Sequence, residues 1–354
     1  MADPGFLQAP GPPASTSLSS RILRTGLWQD TAAIPSALAA TLDRAEGFTE
    51  VAALIKRPGA RRVIVSGSGA SFYAAMALWL AALDGDRLPV EVQAVPAGLL
   101  ARDAFRWRTG DTLLAMSSSG ESRDLIEAVE SERIPTPFAL ITAEPSSTIA
   151  QRAGAVARAV VSSAEAITHT QAFCGSLVAS LAIWSLATQD TDLSAAVAAA
   201  PLDCSNVIAR TLPWASEVLG AIALPPAAIV FGTGPAWVAA MEGALLLKEV
   251  SRIPCEGSET REGATTLMTG LLPGHLAIGI PLRDDPLAEE AELVCRSVPC
   301  QFIRAPGGDE GDRRLAAVTA FAPMVALCIH LGLSGAWDVD RPSWYSRYEA
   351  TARR

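Results

Sequence analysis

Two apolar runs, each ending in a glycine turn and feeding an apolar helical stretch, lie 165 positions apart in this 354-residue chain. The first is Arg62-Val63-Ile64-Val65-Ser66, followed by Gly67-Ser68-Gly69-Ala70-Ser71. The second is Ala228-Ile229-Val230-Phe231, followed by Gly232-Thr233-Gly234-Pro235-Ala236. A short apolar run bounded by glycine reads as a buried strand, and strands alternating with helices imply a parallel sheet covered on both faces. After the first turn the pattern predicts a helix from Phe72 to Leu83 and strands at Val90 to Val95, Leu113 to Met116 and Phe138 to Thr142. In the second copy, His275 to Ile280 and Val298 to Ile303 match the last two of these strands. The expected fold is therefore α/β: two tandem α-β-α sandwiches, each with a mainly parallel sheet flanked by helices.

The expected organisation follows from composition along the chain. Residues 1–20 are rich in Pro, Gly, Ala and Ser and read as a disordered tail. Residues 21–195 form the first domain, opening with helical sequence from 21 to 58 that breaks near Pro35. Residues 196–354 form the second domain with a C-terminal tail, and helix and loop near 190–225 join the two. Half the residues are apolar, so core material is ample. Net charge is −9, and with no basic cluster a nucleic-acid partner is not expected. The six cysteines show no CxxC pair and no metal-ligand spacing with the three histidines, so they read as thiols of a reducing compartment with no metal site. The N-terminus lacks a basic segment followed by an apolar one, and Leu177 to Ala187, the longest apolar stretch read, is too short to span a bilayer. A cytoplasmic protein without membrane contact is expected.

The two copies differ where chemistry is concentrated. In the first, strand Leu113 to Met116 is followed by Ser117-Ser118-Ser119-Gly120-Glu121-Ser122, and then by helical sequence from Asp124. Hydroxyls on a strand-to-helix turn, at the positive end of a helix, suit either a plain helix cap or a phosphate cradle. Gly67-Ser68-Gly69-Ala70-Ser71 lies at the same end of the predicted sheet and would form a second wall. It is not a dinucleotide fingerprint, because Phe72 stands where the third glycine is required, and no cofactor is expected. The second copy has Pro281-Leu282-Arg283-Asp284-Asp285 at the matching turn, whose carboxylates should repel a phosphate.

Three acid–base candidates stand out. Glu242 and Glu249 lie seven apart in an apolar helical stretch, on one face, as either a salt-bridged structural pair or a general base with raised pKa. His169 precedes a long apolar helix, as a cap or as an acid–base group. His275 and His330 sit in apolar contexts and read as structural.

These segments together resemble the sugar isomerase (SIS) domain family, and within it the tandem isomerase half of glucosamine-6-phosphate synthases. The likeness is carried by Gly67 to Ser71, Ser117 to Ser122, Glu242-Gly243-Ala244-Leu245-Leu246-Leu247-Lys248-Glu249-Val250-Ser251 and Asp338-Val339-Asp340-Arg341-Pro342, with Gln29-Asp30-Thr31 as a weaker match. It spans roughly residues 25–354 and leaves no room for a glutaminase domain. The resemblance implies a sugar phosphate held by Ser117, Ser118, Ser119 and Ser122, assisted by Ser68 and Ser71. It implies Glu249 as the carboxylate that shuttles a proton between C1 and C2, with Glu242 as a second acid nearby. It also implies aldose–ketose isomerisation or deamination of a hexose or hexosamine 6-phosphate, and a homodimer. Two positions depart from the family: Arg347 stands where isomerising members have a tail lysine, and Thr265 where they have a ring-opening histidine. Arginine cannot form a Schiff base but can hold an oxyanion, and a threonine hydroxyl is a poor acid. His169 is the nearest replacement by motif. The alternative is a catalytically weak protein that binds or senses a phosphosugar.

Overall fold

A computed structural model describes residues 17–83, 90–102 and 105–352. Four helices precede the first sheet: α1 (Leu18–Leu23), α2 (Gly26–Ala32), α3 (Ile34–Arg44) and α4 (Phe48–Ile55). The break expected near Pro35 falls between α2 and α3, with the proline in the first turn of α3, where its missing N–H is harmless. Helix α1, capped by Ser17, starts inside the stretch read as a loose tail. Its Ile22 is fully buried, so that reading is corrected for residues 18–20; residues 1–16 lie outside the described residues.

The first sheet is built from β1 (Arg62–Gly67), α5 (Ala70–Leu83), β2 (Glu91–Pro96), α6 (Ala97–Leu100), β3 (Asp111–Met116), α7 (Arg123–Glu130), β4 (Ala139–Thr142) and β5 (Ala155–Arg158). Its strands are all parallel, in the order β2-β1-β3-β4-β5. Helices α8 (Thr170–Thr188) and α9 (Thr191–Val218) then lead to β6 (Ala228–Gly232), α10 (Ala236–Glu249), β7 (Cys255–Glu259), α11 (Thr260–Thr265), β8 (Leu276–Ile280), α12 (Pro286–Arg296) and β9 (Gln301–Arg304). The second sheet is parallel, in the order β7-β6-β8-β9, and repeats the first four positions of the first. Helices α13 (Ala316–Thr319), α14 (Phe321–Ser334) and α15 (Tyr345–Ala352) complete the chain. The division drawn after residue 195 lies within α9.

The matching glycines explain the matching turns. A Cβ on Gly67 would lie 2.6 Å from the Ser71 carbonyl carbon, and one on Gly232 would lie 2.4 Å from the Ala236 oxygen. In each copy the helix folds back so tightly on the strand end that only glycine fits there.

Every residue of β1 is buried and the faces alternate: Val63 and Val65 face the main core while Ile64 packs on the other face with Leu113 and Leu140. The main core is continuous through both halves, joining β1 and β3 to β6 and β8 through α5, α8, α10 and α14. Two helical stretches, Thr170–Thr188 and Arg313–Ser334, are long and apolar enough to cross a membrane, a length the sequence reading did not find. They are 94% and 100% buried inside the protein, as central core helices are.

Candidate functional site

Strand order 2-1-3 places a switch point between β1 and β3, where the chain leaves the two strand ends in opposite directions and opens a crevice. The turns after β1 and β3 lie there. Ser117 and Ser119 shape the second turn, their hydroxyls accepting from the backbone N–H groups of Gly120 (3.1 Å) and Glu121 (3.2 Å). Gly120 has φ +61°, and a Cβ there would lie 1.8 Å from Ser147 Oγ. The segment after β4 pins this turn from behind: Ala143 N and Thr142 Oγ1 donate to Ser118 O, Ile149 N to Gly120 O, and Thr148 N to the Glu121 carboxylate. Ser122 is the N-cap of α7 but makes no capping bond with its side chain; its hydroxyl faces that of Ser68 at 3.5 Å. The cradle is thus preshaped, and its helix start favours an anion.

A cavity of about 520 Å3 opens from this cradle. Its walls bring together Ser68, Ser71, Ser117, Ser118, Ser119 and Ser122 with His169, Glu242 and Glu249. Arg123, which pairs with Glu127 at 2.9 Å, lies at the rim and adds a cation that sequence reasoning passed over.

Helix α10 supplies the carboxyls. Glu242 is 3% exposed and its Oε2 has no hydrogen-bond partner. Burial, and then the neighbouring Glu249, hold its carboxyl well above the usual carboxylate range. Burial pushes Glu249 up to about 7, against the pull of Lys248. Glu249 is the last residue of α10, where the helix dipole also disfavours negative charge. Among the described residues neither side chain is in an ion pair, so the salt-bridged alternative has no support.

The loop before α8 forms the facing wall. His169 is the N-cap of α8, exposed at the cavity and making no capping bond. Beside it the Thr168 hydroxyl is buried, lines the cavity and has no partner. The Asp30 carboxylate accepts from Glu165 N (3.0 Å) and Ala166 N (2.8 Å), while Gln171 Nε2 donates to Asp30 O. Asp340 O accepts from Ile167 N (2.9 Å), and the Asp340 carboxylate accepts from Gly26 N and Leu27 N. The two acidic segments singled out in the sequence therefore brace the wall rather than line it.

The tail helix α15 closes the cavity with Trp344, just before its start, and Tyr345 and Tyr348 within it. Their spacing is a helical stripe that could have flagged them in the sequence. Trp344 Nε1 donates to Glu249 O at 3.0 Å, tying the tail to the end of α10.

Two residues named from the family pattern are not brought in. Arg347 is exposed on α15 and is not part of the cavity wall. Thr265 is exposed on α11, its hydroxyl donating to Arg261 O at 2.7 Å, also outside the wall. His275 borders a separate cavity of about 200 Å3 at the opposite, amino end of the second sheet, and His330 is buried in α14. In the second copy, Asp285 caps α12 by accepting from Ala288 N at 3.1 Å, so a fixed carboxylate occupies the helix start that an anion would need.

Residues 59–189 match the SIS domain family model. Over 320 residues, 80% of this chain, the sequence is 28% identical to glutamine–fructose-6-phosphate aminotransferase [isomerizing] of Zymomonas mobilis, of which 51% is covered. The chain spans about half the length of the curated relatives it matches. The fold resembles the C-terminal domain of glucosamine-fructose-6-phosphate aminotransferase from Francisella tularensis (TM-score 0.76, 17% identity, covering 90% of this chain and 98% of that one). It also resembles glucosamine-6-phosphate deaminase from Thermotoga maritima (TM-score 0.66, 19% identity, covering 87% and 96%).

Proposed function

We propose that this chain, which carries a SIS domain over residues 59–189, binds a hexose or hexosamine 6-phosphate in the serine cradle and moves a proton between C1 and C2 of the open sugar. The observation that carries this reading is one cavity holding both the cradle and Glu249. A carboxyl near pKa 7 is part ionised at neutral pH, so it can take a proton from one carbon and return it to the next. Such a transfer passes through an enediol, with no net gain or loss of atoms. Burial holds the Glu242 carboxyl well above the usual carboxylate range, and in its protonated form it can donate its O–H to the oxygen on which charge develops. The reaction class is aldose–ketose isomerisation or, where C2 carries nitrogen, deamination, in which the proton transfer gives an imine at C2, water adds to that carbon and ammonia leaves. His169 is a titratable side chain at the wall that can serve ring opening.

A second reading has a specific observation behind it: Thr265 and Arg347 both lie outside the cavity wall. A protein that binds the phosphosugar and turns it over weakly, as a sensor, fits that placement. In either case the expected form is a cytosolic homodimer, the compartment being supported by six cysteines that form no disulfide.

A thermal-shift screen of sugar phosphates, followed by proton exchange on the best binder in heavy water, separates the readings. Exchange at C1 or C2 that is lost in Glu249→Gln supports the enzyme. Binding without exchange in the wild-type protein favours the sensor, and full turnover by Glu249→Gln would remove Glu249 as base.

A further inference from the structure

The cavity wall contributed by the α15 segment carries three aromatic rings. Trp344 and Tyr345 lie 6.2 Å apart between ring centres, Trp344 and Tyr348 5.6 Å, and Tyr345 and Tyr348 6.3 Å. All three line the cavity, and Tyr348 is half exposed. Three polar groups of this wall are already engaged. Trp344 Nε1 donates to Glu249 O, the Tyr345 hydroxyl to Glu349 Oε1 at 3.4 Å, and the Thr351 hydroxyl to Arg347 O at 3.0 Å. What remains to meet a ligand is ring surface.

Trp344 donates to the backbone of Glu249 itself, so this surface lies at the end of α10 that bears the proposed base. Hydroxyls pressed against rings lose water without gaining partners, which is unfavourable. A flat or apolar group gains from the same contact. Elsewhere on the cavity wall the situation reverses, because Thr168 Oγ1 and Glu242 Oε2 are buried and unpartnered, ready to meet hydroxyls of the sugar. The one cavity thus combines an anion cradle, unpartnered polar atoms and an aromatic wall. Its volume of about 520 Å3 falls within the range of about 300–1,000 Å3 typical of pockets that enclose drug-sized ligands.

We infer that the natural ligand is a substituted sugar phosphate, bearing at its C1–C2 end a flat or apolar group that packs on Trp344, Tyr345 and Tyr348. This rests on the phosphosugar reading above and deepens it by naming the substrate class.

The test compares affinities by competition calorimetry for glucosamine 6-phosphate and its N-benzoyl derivative. Wild-type protein is expected to favour the benzoylated compound by about ten-fold. Tyr348→Ala is expected to shrink that ratio to about three-fold or less, whereas Tyr348→Phe, which keeps the ring, retains it. Ser119→Ala is expected to weaken both compounds alike and leave the ratio standing. If glucosamine 6-phosphate binds as tightly as the benzoylated form, the inference fails and the phosphosugar reading survives. If neither compound binds, both fail together.

Discussion

Glu249, the proposed base, also carries a stability cost. A carboxyl with an ordinary value of 4.5 is pushed up to about 7 by its surroundings, so the folded state holds its proton more tightly than the unfolded state does. The sign follows from linkage: the native state loses stability as pH rises from about 4.5 through about 7, by up to about 3 kcal/mol. Glu249→Gln is therefore expected to raise the urea midpoint at pH 8 and to change it little at pH 5. Equal midpoint shifts at both pH values would refute the burial account. The base must be ionised to act, so proton exchange in the wild-type protein is expected to rise with pH, with a half-maximum near 7, in a rate profile from pH 5 to 9. Glu242 and Glu249 were legible in the sequence as paired acids on one helix face, either salt-bridged or with a raised pKa; the packing of α5, α13 and α14 around α10 is what decides between the two. Thr168 carried no sequence signal, because a lone threonine before a helix looks like any other cap.

The turns and loops that build the site are held by partners distant in sequence. The serine turn was readable as a strand-to-helix junction, yet the segment 142–149 that pins it was not. Gly120→Ala is expected to weaken phosphate or sugar phosphate binding by more than about ten-fold, because the Cβ would collide with Ser147 Oγ and φ is positive; calorimetry checks this. Asp30→Ala would orphan two backbone N–H groups, one of them in the buried residue Ala166. It is expected to lower unfolding free energy by about 1.5–3 kcal/mol in urea titration and to loosen the wall bearing Thr168 and His169. Two strands escaped the sequence reading for related reasons. β5 is four residues long at a sheet edge, and β7, Cys255-Glu256-Gly257-Ser258-Glu259, is polar and half exposed. Neither has the apolar run that marks a central strand, and only pairing with β4 and β6 makes them strands.

At the scale of the molecule, two parallel sheets of matching strand order frame one candidate site. Both copies present a glycine turn and a strand-to-helix turn at the same sheet end, but Ser122 leaves the start of α7 uncapped while Asp285 caps α12 with its own carboxylate. Titration with a sugar phosphate is therefore expected to give one site per chain, and a stoichiometry of two would contradict the asymmetry. The second copy instead contributes α10, whose carboxyls reach into the first copy's crevice because one core runs through both halves. Sequence alone determined the α/β class, the serine turn and the paired acids, since each is a local pattern of apolar period, hydroxyl or charge. Tertiary structure decided what faces the cavity. It buried Glu242, set Trp344, Tyr345 and Tyr348 in the cavity wall and left Arg347 outside. Which side of a helix meets a cavity is fixed by packing between elements far apart in the chain, and no local pattern records it.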